Sequence, residues 1–377
     1  MFGTTLIGMC DLFVLAAEPS ADLHGAKLVE ELLRIRPNLK IAAVAGPRMR
    51  KLQVETHFPM ENLQVMGFID VLVALPRIAK QFFAIRKKIL ELKPKAVVLI
   101  DYPGFNLRLE RSLRKKNYKG RLIHYICPTV WAWGKKRIPR MAETLDLLLT
   151  LFPFEKKCFS KTPLQVEYVG HPLAAQIPPG FDKKDEPILA LFPGSRNTEI
   201  LRNFPLQLLS AKKLLTAAPD LKIAVSIAQS SQEPLLRSIA KDTPLHFYPA
   251  EKNYELMKSA RVALATSGTV TLELALHKVP TVVNFAIRPI DLFLAQKIFR
   301  INLPFYCIVN IILSKSVFPE LFGPNLTEKN LDYWAHRLWF ENAVRAEIEA
   351  GCIALRQTLG TLDASREAAR RVISLAF

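Results

Sequence analysis

The chain has 377 residues, 50% of them hydrophobic, which is more than one ordinary core needs, so two domains are expected. A net charge of +18, from 52 basic against 34 acidic residues, points to a polyanionic partner: nucleic acid, an anionic membrane face or a phosphorylated substrate. The five scattered cysteines lack zinc-ligand spacing and read as free thiols in a reducing compartment, and no apolar run reaches the roughly 18 residues of a spanning helix.

The first ten residues, MFGTTLIGMC, carry no basic residue. No signal peptide is read from them, and a cytoplasmic location is expected. "DLFVLAA" (11–17) predicts a strand leading to a helix near 24–35. The turn "AAEPSADLHG" (16–25) crowds Glu18, Ser20 and Asp22 together. Ser20 or Asp22 can serve merely as a helix cap, whereas Glu18 at a strand's carboxyl end has fewer structural reasons to be there. "IAAVAG" (41–46) predicts the next strand.

The segment 65–90 breaks this rhythm. Val65, Phe68, Ile69, Leu72 and Leu75 recur at helical spacing before Pro76, and a second apolar series follows it with a basic flank. A pair of buried helices and a membrane-surface patch both fit this pattern. "AVVLID" (96–101) is a further strand, with Asp101 at its end and Asn106 before the next helix. A carboxylate there suits a general base, or a turn closed on its own backbone. "LIHYIC" (122–127), "LDLLLT" (145–150) and "VEYVG" (166–170) complete the first set. Between them Trp131 and Trp133 stand among Lys135, Lys136, Arg137 and Arg140. That mixture fits nucleic-acid contacts or a groove for a phosphorylated lipid.

Residues 171–187 are rich in proline and charge and read as a linker. The strand–helix alternation then restarts with "ILALFPG" (188–194), "LKIAVSIA" (221–228), "LHFYPA" (245–250), "VALATSG" (262–268) and "TVVNF" (281–285). Residues 328–374 read mostly helical. The expected fold is therefore α/β, two tandem doubly wound Rossmann-like domains with a helical C-terminal segment. Ligands are expected beyond the carboxyl ends of the strands, in the cleft between the domains.

Two turns of the second half suit an anion. "LFPGSRNTEI" (191–200) puts Gly194, Ser195 and Arg196 between a strand and a helix. "ATSGTVTLE" (265–273) does the same with Ser267, Gly268 and Thr269, and Ser267 or Thr269 can cap the following helix. Glu273 lies one turn further on. Each stretch alone also reads as an ordinary loop or capped helix; their equivalent positions on one sheet favour a shared diphosphate site. The G-x-G-x-x-G, P-loop, H-E-x-x-H and D-x-D patterns are absent, so phosphate binding is expected to use amides, hydroxyls and arginine, with no metal and no cofactor.

Taken together and in order, "AAEPSADLHGAKL", "VAGPRM", "VMGFIDVL", "IDYPGFN", "HYICPTVWAW", "FPFEKKCF", "VGHPL", "LFPGSRNTEI", "ATSGTVTLE" and "FPEL" resemble the lipid-A-disaccharide synthase family, inverting glycosyltransferases of the GT-B fold. The resemblance implies transfer of 2,3-diacylglucosamine from its UDP derivative to 2,3-diacylglucosamine 1-phosphate (lipid X). The product is a β-1,6-linked disaccharide 1-phosphate, with UDP released. It also implies peripheral attachment to the anionic inner face of the cytoplasmic membrane, leaves a homodimer open, and involves no nucleic acid. By the same resemblance Asp101 matches the base for the acceptor hydroxyl, Arg196 a donor-phosphate arginine, Glu273 a ribose carboxylate and Asn310 a donor-side asparagine. Glu18, Ser20 and Asp22 match the acceptor-side turn, with Glu18 also a candidate for the base. Ala17 and Ala21 stand where the family usually has glycines, and Gly323 where it often has glutamine. The expected division is 1–172 for the acceptor and membrane, 173–350 for the donor, and 351–377 as a C-terminal helix returning to the first domain. A UDP-sugar epimerase or hydrolase of the same fold, and a basic RNA- or membrane-binding protein, are the competing readings.

Overall fold

The computed structural model describes residues 10–64, 68–132, 134–180, 183–288, 292 and 303–377. The chain forms two compact units, one of residues 1–175 with 361–377 and the other of residues 176–360.

Unit 1 runs β1 (Leu12–Ala16), α1 (Pro19–Ile35), β2 (Ile41–Ala45), β3 (Glu55–Pro59), α2 (Phe68–Leu92), β4 (Ala96–Ile100) and α3 (Pro103–Lys115). It continues with β5 (Arg121–Tyr125), α4 (Ile138–Thr144), β6 (Leu147–Thr150), α5 (Glu155–Cys158), β7 (Gln165–Tyr168) and α6 (Pro172–Gln176). Strands β1, β2 and β4 are fully buried apolar runs, as expected of a parallel sheet covered on both faces. The sheet order is β3-β2-β1-β4-β5-β6-β7, all parallel. The order reverses between β1 and β4, where Ala16 pairs with Ile100. In such a sheet the crevice beyond the carboxyl ends of that strand pair is the natural ligand site.

Unit 2 runs β8 (Glu186–Phe192), α7 (Asn197–Ala217), β9 (Lys222–Ser226), α8 (Glu233–Ala240), β10 (His246–Tyr248), α9 (Asn253–Ser259) and β11 (Ala260–Thr266). Then come α10 (Thr269–Leu276), β12 (Thr281–Phe285), α11 (Ile308–Leu313), β13 (Glu320–Phe322), α12 (Glu328–Phe340) and α13 (Asn342–Leu359). Its parallel sheet, β10-β9-β8-β11-β12-β13, reverses between β8 and β11. A buried chain of side-chain amides, Asn203–Asn284–Gln207, ties α7 to β12.

After Gly360 the chain rejoins unit 1 as α14 (Ala364–Ala376), whose Ala364, Ala368, Ala369 and Val372 enter the same core as β1 and β2. Gly170 makes this return close-packed. Its φ is +99°, and a Cβ there would lie 2.4 Å from the Leu362 carbonyl oxygen.

Two expectations change. Residues 68–92 form one helix through Pro76, not two helices broken there; proline removes a single backbone donor, which a long helix tolerates at a local cost. The cap of α10 is Gly268, neither Ser267 nor Thr269, and no side chain accepts from the helix start. Of the apolar patch, Val65 lies outside the described residues, as do the side chains of Phe68, Ile69 and Leu72. Leu75 is 48% exposed. Trp133 is likewise outside the described residues. Among the described residues no helix is long and apolar enough to cross a membrane, and no group of three or more His, Cys, Asp or Glu is placed to hold a metal.

Candidate active site

At the reversal point of unit 1, Glu18 follows β1 and Asp101 follows β4. Asp101 and Tyr102 both adopt left-handed backbone, φ +48° and +47°. Two consecutive non-glycine residues in that region store strain, which persists where surrounding bonds over-determine it. Those bonds are present. The Asp101 amide donates to the Tyr125 carbonyl at 2.8 Å, and the buried Asn106 side chain donates to the Asp101 carbonyl at 2.6 Å.

Glu18 is half-buried, and its hydroxyl neighbour Ser20 donates to Glu18 Oε1 at 3.0 Å. Burial pushes the Glu18 carboxyl above its ordinary range, and the adjacent Asp101 charge pushes it further. Two interacting carboxylates thus stand at one strand-end crevice. His24, a residue of the same turn to which the sequence assigns no role, belongs to the same electrostatic neighbourhood. Burial lowers its pKa, and the Asp101 charge opposes that shift. The signal for His24 was present in "ADLHG", but only the β1–β4 pairing brings the residue near Asp101.

Asp22 and Asn106 were expected on the acceptor side. In the structure both side chains are engaged with backbone groups. Asp22 is buried and accepts the backbone amides of Gly46, Arg48 and Met49 at 2.9, 2.8 and 3.1 Å. Asn106 is buried and holds the carbonyls of residues 100 and 101.

At the reversal point of unit 2, the two anion turns line one cavity of about 210 Å³. Gly194 and Ser195 come from the end of β8, Thr266, Ser267, Gly268 and Thr269 from the end of β11, and Glu273 stands on its wall. Gly194 adopts φ +122°, and a Cβ there would press on Glu199 at 2.7 Å. The Ser195 amide donates to Glu199 Oε2 at 3.0 Å, and Gln232 Nε2 donates to the Ser195 carbonyl at 2.7 Å. Burial raises the Glu273 carboxyl pKa, while the Tyr254 hydroxyl bonded to it holds it down. Ser226 and Asn253, hydrogen-bonded to each other at 2.7 Å, also line this cavity and carried no motif in the sequence.

Arg196, next to Ser195 in the chain, is not among the residues lining the cavity. Its side chain is 79% exposed, and its guanidinium meets Glu199 at 3.1 Å. Asn310 is buried with its amide fully engaged. It donates to the Phe318 carbonyl and Glu320, and accepts from the Val317 and Phe318 amides. It shapes the 317–320 loop and presents no spare polar atom.

The geometry is that of paired strand-end sites, carboxylates in one unit and an amide-and-hydroxyl cavity in the other. The sequence matches the lipid-A-disaccharide synthetase family over residues 12–372. The chain belongs to that family. Lipid-A-disaccharide synthase of Geobacter sulfurreducens is 32% identical over 97% of both chains. That of Chlamydia muridarum is 39% identical over 83% of this chain and 54% of its own. The chain thus spans about half the length of the Chlamydia relatives it matches. Among solved structures, UDP-GlcNAc 2-epimerase from Neisseria meningitidis superposes with a TM-score of 0.60 at 10% identity, covering 97% of this chain and 100% of that one. The glycotransferase of kitacinnamycin also gives 0.60, at 12% identity, over 97% and 99%. Both share the GT-B-like fold.

The family stretch "FPFEKKCF" contains Glu155, which is buried and accepts the Phe152 amide at 3.2 Å. Burial pushes its carboxyl up to about 8 from an ordinary 4.5, against the opposing amide bond. The folded chain therefore binds this proton more tightly than the unfolded chain. That stabilisation is complete below pH 4.5 and is lost as pH rises to about 8. In melts of wild type and Glu155→Gln, the balance should move toward the variant by on the order of 2 kcal/mol between pH 5 and 8. Parallel stability curves would remove Glu155 as the source of the pH dependence.

Proposed function

We propose that the chain transfers 2,3-diacylglucosamine from its UDP derivative to 2,3-diacylglucosamine 1-phosphate, forming the β-1,6-linked disaccharide 1-phosphate and UDP. The observation that carries this reading is the unit 2 cavity, where the turn after β8 and the turn after β11 meet with Glu273 on the wall. The Gly268 and Thr269 amides at the start of α10, with hydroxyls from two strand ends, suit a diphosphate, and a carboxylate one helical turn away suits ribose hydroxyls. The name and full-length match of the Geobacter relative support the lipid substrates.

In this reading unit 1 carries the acceptor and unit 2 the donor. Asp101 accepts the proton of the acceptor 6-hydroxyl, and the oxygen attacks the anomeric carbon as UDP departs with inversion. Glu18, whose carboxyl burial and the Asp101 charge both push upward, stands beside it at the same strand-end crevice. Arg196 and the amides of residues 268 and 269 stabilise the leaving diphosphate. Peripheral attachment to an anionic membrane face is part of the proposal. It is supported by the apolar, basic helix α2, whose Leu75 and Phe83 are exposed.

The test is incubation with UDP-diacylglucosamine and lipid X, followed by mass analysis for the disaccharide 1-phosphate. UDP release without that product, or epimerisation of UDP-GlcNAc in a lipid-free assay, overturns the reading.

A further inference from the structure

Helices α3 and α4 enclose a cavity of about 280 Å³ whose walls include Arg108, Arg111, Arg137 and Arg140. Glu143 is the one acidic residue on those walls. Arg108 and Arg111 are nearly one turn apart on α3, and Arg137 and Arg140 are likewise spaced along the chain entering α4, so both pairs reach the same space. Among the described residues, Arg108, Arg111 and Arg140 form no ion pair or side-chain hydrogen bond. Neighbouring Arg114, by contrast, is tied to Asp146 and to three backbone carbonyls. Four guanidiniums against one carboxylate leave the wall strongly positive, and such a wall attracts an anion. Guanidinium is the side chain best matched to phosphate.

A second cavity, of about 400 Å³, adjoins the first and shares Gly104 and Arg108 with it. Its walls are apolar: Leu75, Ile78, Phe82 and Phe83 of α2 meet Tyr102 and Phe105. Phe82 packs edge-on against Phe105 at 5.5 Å, while Phe83 remains 54% exposed. A cationic hollow that opens beside an apolar trough fits one kind of occupant, an acyl chain covalently joined to a phosphate. The same short stretch carries Asp101, and its neighbours Tyr102 and Pro103 line the trough and the hollow respectively. The catalytic carboxylate, the cationic hollow and the apolar trough are therefore all assembled around the start of α3.

We infer that Arg108, Arg111 and Arg140 bind the phosphate of the acylated acceptor while the α2–α3 trough takes one of its acyl chains. The inference rests on the proposed transferase reading and assigns its acceptor site. Phosphate-bearing lipids of the membrane share this chemistry, and the experiment separates them from the acceptor.

All three arginines are exposed and unpaired, so their removal leaves the core intact. In the full chain carrying Arg108→Ala, Arg111→Ala and Arg140→Ala, the KM for lipid X should rise roughly 10- to 100-fold for each guanidinium that engages the phosphate. The KM for the UDP donor should stay unchanged. With phosphate-free 2,3-diacylglucosamine as acceptor, wild type and variant should react alike. A single Phe82→Glu variant should raise the KM for both acceptors. Dodecyl phosphate, titrated calorimetrically, should bind wild type and not the triple variant; this readout stands even if no turnover of any kind is found, so it separates this inference from the transferase reading. An unchanged KM for lipid X, or an equal loss with the phosphate-free acceptor, overturns the assignment. Loss of binding to phosphatidylglycerol vesicles with an unchanged KM overturns it too, and gives the arginines to the membrane.

Discussion

Asp101→Asn should lower kcat by about 10²- to 10⁴-fold, the range in which a positioned general base contributes. The donor KM should be unaffected, because the residues proposed to hold the donor lie in the other unit. Folding should also be retained, since asparagine keeps the size of the side chain and the Asp101 amide keeps its bond to Tyr125. A second consequence concerns Glu18. The Asp101 charge is one of the causes that raise the Glu18 pKa. Removing a like charge favours ionisation, so the Glu18 titration should move to lower pH in the variant. Carboxyl-resolved NMR titration of wild type and variant measures that shift, and steady-state kinetics measure kcat. Near-normal kcat in Asp101→Asn, with a severe loss in Glu18→Gln, would transfer the base role to Glu18. A purely structural Asp101 would instead lower thermal stability in proportion to activity.

The fold was legible wherever a strand is buried on both sides. β1, β2, β4 and β12 fall within a residue or two of the apolar runs read from the sequence. Of the four edge strands, β3 and β13 escaped for a physical reason. β3, "ETHFP", is exposed at its start and breaks register beside β2, and β13 has three residues, so neither produces a continuous apolar run. The strand-end residues of the candidate site were legible, because Glu18, Asp101, Gly194 and Ser267 fall within two residues after strands that the sequence marks well. Polar residues whose partners are remote in sequence were not. Asp22 reads as a helix cap, yet its acceptors are satisfied 24 to 27 residues away. Asn310 is consumed by a loop that its own bonds create. The two arginine pairs around the α3–α4 hollow are about thirty residues apart in the chain, and only the α3–α4 packing makes one wall of them. Hydrophobic period locates elements, but the closing of a polar side chain on a distant backbone group is settled only in three dimensions.

Arg196→Ala should lower kcat by roughly 10²- to 10³-fold, comparable to removing one donor from a preorganised anion site. In the structure Arg196 points to Glu199, which also accepts the Ser195 amide. An exposed pair of this kind contributes on the order of 0.5 kcal/mol, so its loss should leave the melting temperature nearly unchanged. A diphosphate has more charge than a carboxylate and takes the planar guanidinium bidentately. Arg196 can therefore exchange Glu199 for the donor at small cost, because the competing pair is weak and solvated. The exchange matters most when charge builds on the departing UDP, so kcat should fall further than the donor KM rises. Arg196→Lys should recover only part of the rate, since an ammonium keeps the charge but loses the fork. Glu199→Gln separates the two roles of the carboxylate. It keeps an oxygen for the Ser195 amide and releases the guanidinium, so UDP affinity should hold or rise while Arg196→Ala weakens it. Equal, small effects of Arg196→Ala on kcat and on stability would leave Arg196 as a surface residue, and the leaving group would then rest on the amides of residues 268 and 269 alone.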